Sequence, residues 1–409
     1  MKINIFLSYF FICFSFLCSS YFIRNDDTLY LFFYSLFLIL LFFVSIYYLQ
    51  KSSIKEIYSF LFFFKYLITF FVLDFFLQSF YHKIELNRLI LHSASSVSAI
   101  LSIFAFSRMI ENDNDFLKIN RFIFYLLNTS LIVGIIDSLE IININFLAQK
   151  KLIEGYNFGI FKNTAGLMEH QISFGIAGAL LFTISVLLNK ISIKNIYYLL
   201  LIFLGVFISF SRTAFLLLII CFSIFIFQKK IIPKGFFITL CCIFLISTFF
   251  IDFYENELIN QVLRLESGFT GREYIIGFFF TLPFDFNQIL FGFGYQNLFD
   301  IRDSILTDFE LNIDRLQFKS FHNLYISTIA NSGLLLAIIY FTSQLKIYFE
   351  HIKFKLKFSN HILMVMLIFL LGNLFVEFRV GGIRIISLYF SIILAFIYRH
   401  NKLVNLNEI

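Results

Sequence analysis

The sequence predicts an all-α protein: a polytopic transmembrane helix bundle of about 12 spans, with one long extracytoplasmic loop. Of 409 residues, 59% are hydrophobic and only 14% are charged, whereas about a quarter of the residues in soluble domains are charged. Apolar runs long enough to cross a hydrocarbon core of roughly 30 Å recur along the whole chain. One polar stretch, residues 253–320, interrupts them.

Hydropathy places the spans at 3–23, 28–49, 57–80, 89–107, 122–139, 166–188, 195–209, 213–228, 235–252, 321–341, 361–377 and 383–398. The first run lacks a small-residue cleavage site before Tyr21, so we interpret it as a span and not a signal peptide. The whole chain, 1–409, reads as one integral membrane domain. Its loop, 253–320, lies between spans 9 and 10, where EYIIGFFF and FNQILFGFGY predict short interfacial helices.

Lysine and arginine are unevenly divided between the two predicted faces. With the amino terminus inside, one face carries seventeen of them and the other, the long loop excluded, carries nine. Because cytoplasmic loops are enriched in these residues, both termini are predicted to be cytoplasmic and the loop outside. This asymmetry and anionic lipid account for the net charge of +6, so nucleic-acid binding is not needed.

The frequencies of individual residue types give further information about the source of the protein and its helices. The absence of Trp and the heavy use of Phe, Ile, Asn and Lys are typical of an AT-rich genome and predict a bacterial source. All five cysteines fall in apolar runs and are interpreted as small buried hydrophobes, not as a disulfide or zinc framework. With only two prolines, helix breaks are expected to come from glycine or from polar pairs.

Two arginines are candidates for the site, one upstream of the long loop and one inside it. Arg212, in SFSRTAF between two apolar runs, is costly unless it faces a wet cavity or a counter-anion; the alternative is an arginine that reaches lipid phosphate. Its neighbour Ser211 could be a helix-end hydrogen-bonding group. Arg272 follows two glycines in SGFTGREY, where backbone amides can approach an anion, although a solvated loop arginine is the simpler alternative.

Further polar residues lie at predicted span ends. His322 and Asn323 open the span after the loop, in FHNLYIS; histidine can act as a general base near neutral pH, or only anchor the helix end. Glu169, in GLMEHQISFG, could position a substrate hydroxyl, pair with an arginine, or be a helix-start charge. Arg379 and Arg384 could each bind an anion or serve as an anchor.

Other patterns are less informative. Lys65 and Asp74 lie inside the third predicted span and could pair with each other or with neighbours, but they are too few for a proton relay. Gly292 and Gly294 in FGFGY lack the context of a dinucleotide fingerprint and indicate backbone bending. No HExxH, CxxC or clustered Asp pair occurs on the predicted outer face, which favours a metal-independent reaction without a cofactor.

The order of these motifs along the chain is similar to that in a known protein family. SFSRT at the end of one span, a glycine–arginine in a long outer loop, GFGY, and HNLY before a glycine-containing span together resemble the O-antigen ligase and polymerase superfamily, over roughly residues 159–341. GLMEHQISFG is similar to a stretch these proteins carry upstream. Where the family often has an arginine before that stretch, this chain has Lys162.

The resemblance implies a glycosyltransferase on the outer side of the inner membrane, with a polyprenyl-diphosphate-linked glycan as donor and a second glycan as acceptor. It implies that Arg212 and Arg272 hold the diphosphate and that His322 deprotonates the attacking hydroxyl. Fixed arginines can stabilise a departing lipid diphosphate without a metal. Further substrate contacts are expected from Ser211, Asn323, Glu169, Lys162 and Arg379, and a chain-length regulator is an expected partner.

Three functions remain open. The leading hypothesis is a polymerase that extends a lipid-linked O-antigen or capsule chain. The first alternative is the sister ligase, which transfers the finished glycan to a lipid A core. The second is a transporter or flippase for the same lipid-linked units, which would need charged residues within several spans and an internal repeat.

Overall fold

The computed structural model describes residues 3–20, 27–140, 157–158, 161–162, 164–191, 196–209, 211–228, 279, 282, 285–295, 323–353, 358–374 and 384–407. The helices are α1 (Ile3–Cys18), α2 (Asp27–Lys51), α3 (Ile54–Phe63), α4 (Lys65–Phe76) with its π-helical continuation Leu77–Tyr81, α5 (Leu86–Met109), α6 (Asp113–Ser138), α7 (Gln171–Leu187), α8 (Ile196–Ile208), α9 (Arg212–Gln228), α10 (Phe286–Phe291), α11 (Leu324–Lys353), α12 (Ser359–Gly372) and α13 (Ile385–Asn407). Two short strands, β1 (Asn157–Phe158) and β2 (Phe161–Lys162), pair antiparallel.

Three helices are long and apolar enough to cross a membrane, namely Thr28–Lys51, Asp113–Ser138 and Leu324–Ile347. A fourth crossing results if Ile54–Phe63 and Lys65–Tyr81, bent by 75°, form one span. Six other apolar helices have 10–17 residues. The chain is therefore helical and suited to a membrane, as the sequence predicts. The number of 12 spans stays a prediction, and the predicted span at 235–252 lies outside the described residues.

Helix α7 lies at the centre of the bundle and packs against α6, α8, α9 and α12. Every residue from Phe174 to Ser185 is buried. Small residues bring its neighbours close: a Cβ on Gly175 would lie 2.5 Å from Ser209 Oγ, and one on Gly178 would lie 2.6 Å from Val206 Cγ2. Close approach at small residues, which increases van der Waals contact, is the usual basis of helix association in membranes.

Hydrogen bonds gather several helix ends at one end of the bundle, which we call the Thr164 end. The backbone N–H of Thr164 donates to Ile208 O (3.3 Å), and its hydroxyl donates to Asp137 Oδ2 (2.7 Å). The backbone N–H of Glu169 donates to Ser19 O (2.8 Å). The residues between β2 and α7 thus hold together the carboxyl-terminal ends of α1, α6 and α8.

The opposite end, called the Glu56 end, is tied together in the same way. Glu56 accepts an ion pair from Arg108 (3.2 Å) and its carbonyl accepts the Tyr398 hydroxyl (3.3 Å). The Tyr48 hydroxyl donates to Asn4 Oδ1 (2.8 Å). The start of α1 therefore lies with the ends of α2, α5 and the later part of α13, so α1 runs opposite to these three helices.

A buried polar network crosses the interior. His361 contacts Thr183 O through Nδ1 (3.1 Å) and the Tyr389 hydroxyl through Nε2 (2.7 Å). That hydroxyl also donates to Asn120 Oδ1. The network joins α12, α7, α13 and α6, where each interhelical hydrogen bond contributes on the order of 1 kcal/mol in an apolar surrounding.

Two predicted spans are broken. The third breaks at Phe64, whose ring packs against those of Phe60 and Tyr398. The expectation that breaks come from glycine or polar pairs is therefore wrong there, because aromatic packing holds the bend. It is right for α11, which has non-helical dihedrals at Gly333 (φ 79°). The rings of Tyr325 and Phe341, on opposite sides of this break, are 4.7 Å apart, so the two arms of α11 fold toward each other.

Candidate functional site

The FGFGY segment docks against the break in α11. Helix α10 begins with a capping box between Asp285 and Gln288 and ends at Gly292, which has a φ of 73°. The next two backbone amides donate into the broken helix: Phe293 N to Ala330 O (2.8 Å) and Gly294 N to Asn331 O (3.1 Å). A helix break leaves carbonyl groups without intrahelical donors, and this turn supplies donors to them. The backbone bend predicted from FGFGY is confirmed.

Glycine is required on both sides of this contact. A Cβ on Gly333 would lie 2.1 Å from Leu290 O, and a Cβ on Gly292 would lie 2.6 Å from the backbone of Asn331. Both atoms that would be struck belong to the backbone, which cannot move aside as a side chain can. Gly294 has a φ of 81° and lies against the ring of His82, 2.5 Å from where its Cβ would be.

His82 and Gln78 attach the same turn to the π-helical end of α4. His82 Nε2 lies 2.9 Å from Phe291 O. Burial lowers the pKa of His82, opposed by this backbone hydrogen bond and by Asp74, so the neutral imidazole that donates from Nε2 is favoured. Gln78 Nε2 donates to Asn331 O (3.1 Å), and Gln78 Oε1 accepts the Tyr295 N–H (3.2 Å).

A buried carboxylate lies beneath this turn. Asp74 is 2% exposed and receives three hydrogen bonds: Oδ2 lies 2.5 Å from His92 Nε2, while Oδ1 accepts from the Ser332 hydroxyl (2.7 Å) and from Gln78 Nε2 (3.2 Å). A buried carboxylate is tolerated when it is paired and hydrogen-bonded in this way. The Asp74–His92 pair joins α4 to α5, and Ser332 adds α11.

A cavity of about 40 Å³ opens beside this pair. Its wall combines aromatic rings, among them Phe71, Tyr295 and Tyr340, with polar side chains, among them Ser96 and Thr328. It reaches Leu324, the first residue of α11, which is two positions after His322 in the chain. A polar space of this size can hold a few water-sized groups.

Asn323 directly precedes α11, and its side chain forms hydrogen bonds with two other parts of the backbone. Its Oδ1 accepts the backbone N–H groups of Tyr325 (3.0 Å) and Ile326 (3.1 Å), and its Nδ2 donates to Leu374 O (3.0 Å). It therefore caps the helix and fixes it to the end of α12. This geometry gives Asn323 a structural role at the position that follows His322.

Ser211 caps α9 in a similar way. Its backbone N–H donates to Ser209 Oγ (3.2 Å), and its own Oγ accepts the Ala214 N–H (3.3 Å). Arg212 is the first residue of α9, so its backbone lies at the Thr164 end, close to Ile208 along the chain. The side chain of Arg212 lies outside the described residues.

Glu169 and Lys162 both form ion pairs at the Thr164 end. Glu169 Oε1 accepts from Arg384 Nε at 3.0 Å, so of the expected alternatives the structure has the arginine partner. Lys162 pairs with Glu140, which follows α6. Of the remaining predicted site residues, His322, Arg272 and Arg379 lie outside the described residues.

The described structure thus gathers Lys162, Glu169, Ser211 and Arg384 at one end of the bundle. Asn323 joins them through α12, which runs antiparallel to α7, since His361 near the start of α12 contacts Thr183 near the end of α7. No protein-family model matches this chain, and no curated protein matches it. Within the described residues, no group of three His, Cys, Asp or Glu side chains could hold a metal ion.

Sequence reasoning missed the Asp74–His92 pair. It considered Asp74 with Lys65, but Lys65 lies over the rings of Phe62 and Tyr66 instead. One signal was available: Asp74 and Gln78 are four residues apart in an apolar stretch, and ionisable residues within such stretches often mark functional sites. The partner was harder to find, because His92 belongs to the next helix.

Proposed function

We propose that this protein is a polysaccharide polymerase of the bacterial inner membrane, a metal-independent glycosyltransferase that extends polyprenyl-diphosphate-linked glycans. One observation carries the proposal. The described members of the predicted site, Lys162, Glu169, Ser211 and Asn323, come from separate parts of the chain and gather at or next to the Thr164 end. The start of α9, with Arg212, lies there too.

The proposed reaction is a sugar transfer in which the acceptor hydroxyl oxygen bonds to the anomeric carbon of the donor. The bond from that carbon to the diphosphate oxygen breaks, and its electron pair leaves with the diphosphate. Arg212 and Arg272 bind this developing charge as bidentate, always-charged donors. His322 accepts the hydroxyl proton, and the amino-terminal amides of α9 add favourable potential for the anion.

The proposal includes an orientation and a topology. The chain has twelve spans, the Thr164 end faces the outside, and both termini are cytoplasmic. This orientation places the face with seventeen basic residues inside, as is usual for membrane proteins. Lipid-linked donors are anchored in the bilayer, so a site at the outer ends of helices would meet their diphosphates at the correct depth. A chain-length regulator would contact the same face.

Two alternatives remain. A ligase would use the same donor chemistry with lipid A core as acceptor. A transporter of lipid-linked units is favoured by one specific feature: the buried Asp74–His92 pair lies beside the broken helix α11, and broken helices with buried ionisable residues are typical of transporters. The convergence of the predicted site residues at one end favours the enzyme over the transporter.

Glycans on the lipid carrier in cells that lack the gene separate these three functions. We expect single repeat units to accumulate and long chains to disappear, since repeat units would reach the outer face but not be joined. Mass spectrometry of the lipid-linked fraction, with accessibility to an external glycosidase, measures both length and side. Long chains left on the carrier would indicate the ligase, and repeat units trapped inside would indicate the transporter.

A further inference from the structure

The cavity beside Asp74 contains two buried polar atoms that have no hydrogen-bond partner among the described residues. They are Nδ1 of His92 and Oδ1 of Asn331. The His92 side chain is 10% exposed and Asn331 is 7% exposed, so water at the protein surface does not satisfy them. Both residues line the same cavity. A buried polar atom left unpaired is costly, so two in one cavity indicate a ligand that forms hydrogen bonds with them.

The hydrogen bonds that His92 and Asn331 already form determine the hydrogen-bonding role of each unpaired atom. The Asp74 carboxylate can only accept, so His92 Nε2 carries a hydrogen and Nδ1 is the ring atom left without a partner. Nδ1 accepts a hydrogen bond in the neutral ring and donates one in the protonated ring, and a hydroxyl group can complement either state. Asn331 Nδ2 donates to Ser327 O (2.8 Å) and to Ser327 Oγ (3.3 Å). This orients the amide and leaves Oδ1 as the free acceptor.

The side chains that line the cavity indicate the chemical class of the ligand. Phe71, Tyr295 and Tyr340 offer aromatic surface beside the two unpaired polar atoms, a combination that suits the carbon-bound hydrogens and the hydroxyl groups of a sugar. A cavity of about 40 Å³ has room for a few water-sized groups, which suits a hydroxyl or hydroxymethyl substituent of a sugar.

We infer that this cavity is a binding subsite for one hydroxyl or hydroxymethyl group of the glycan acceptor, whose hydroxyl forms hydrogen bonds with Asn331 Oδ1 and His92 Nδ1. The inference rests on the proposed function for the identity of the ligand as an acceptor, but the binding itself does not depend on transfer. Asp74 is a positioning residue, because it acts through His92. The cavity reaches Leu324, so a glycan held there would extend toward the start of α11, next to His322 in the chain.

Three variants remove the subsite by different means. His92→Gln keeps an N–H donor toward Asp74 in the place of Nε2 and removes the ring nitrogen Nδ1 from the cavity. Asn331→Leu removes Oδ1 with little change in volume. Ser96→Leu fills the cavity and leaves both unpaired atoms in place. Thr342→Ala, on the exposed face of α11, is the control.

Two measurements test the subsite. In the transfer assay, each of the three variants is expected to raise the acceptor concentration for half-maximal rate about tenfold, as for one lost hydrogen bond to a buried group, with kcat and the donor dependence little changed. In detergent, the free oligosaccharide repeat unit should raise the unfolding midpoint of the unmodified protein and of Thr342→Ala, but not of the three variants.

The outcomes distinguish this inference from the proposed function. If the unmodified protein transfers no sugar but the oligosaccharide still stabilises it and not the variants, the subsite stands and the polymerase assignment fails. If transfer occurs and the three variants keep the acceptor dependence and the stabilisation of the unmodified protein, the cavity holds only water and the inference is overturned. A variant that does not fold is replaced by the other two, which act by different means.

Discussion

His322→Ala, Arg212→Ala and Arg272→Ala are each expected to abolish long-chain glycan while the protein remains in the membrane. Loss of a general base lowers a transfer rate by about 10²–10⁴-fold, and loss of one fixed donor to a developing anion lowers it by about 10²–10³-fold. Product length on a gel, scored in cells that express each variant in place of the unmodified gene, measures the effect. Immunoblotting checks that the protein level is unchanged.

Arg121→Ala is the matched control, because Arg121 is an exposed arginine in the first half of α6, away from the Thr164 end. It removes the same charge from the chain and should leave product length unchanged. Full-length product from the His322 variant would remove the base assignment. Normal product from both Arg212 and Arg272 variants would contradict the diphosphate site.

Gly333→Ala is expected to lower the free energy of unfolding by at least about 2 kcal/mol. Two causes add. A φ of 79° is strained for any residue with a Cβ, and the new Cβ would lie 2.1 Å from Leu290 O. The α10 turn would then be displaced and its hydrogen bonds to Ala330 and Asn331 would be lost. Thermal unfolding of the purified protein in detergent measures the change.

Gly205→Ala separates this mechanism from simple crowding. Its Cβ would lie 2.0 Å from Leu131 Cδ1, the end of a flexible side chain, and Gly205 lies within helix α8. Rotation of Leu131 can relieve the contact, and alanine is favoured over glycine in a helix by about 1 kcal/mol. We therefore expect a change within about 1 kcal/mol. Equal destabilisation by the two variants would contradict the backbone contact at Gly333.

Hydropathy predicts where helices form, because each predicted span within the described residues contains a helix. It does not predict the bends. The break at Phe64 depends on rings from distant parts of the chain, including Tyr398. The break at Gly333 could be predicted only in part from the sequence, because a glycine permits a bend there. The segment that makes the bend favourable is the turn at Gly292, about forty residues earlier in the chain.

The candidate site was predictable where local sequence is sufficient. Asn323 and Ser211 at helix starts are of this kind, since a short polar side chain before an apolar run is a helix-start signal. The Asp74 cluster was not predictable, because Ser332 is 258 residues away in the chain. The pairing of Glu169 with Arg384 is also non-local, and a sequence pattern left it as one of several alternatives.

Reconstitution of the purified protein tests the central claim most directly. Liposomes that contain only this protein and lipid-linked repeat units, with the diphosphates accessible from outside, should convert single units into a ladder of longer glycans and release free polyprenyl diphosphate. This conversion should proceed with a chelator present and without nucleotides. If the repeat units cross the bilayer and are never joined, the protein is a transporter and not a glycan polymerase.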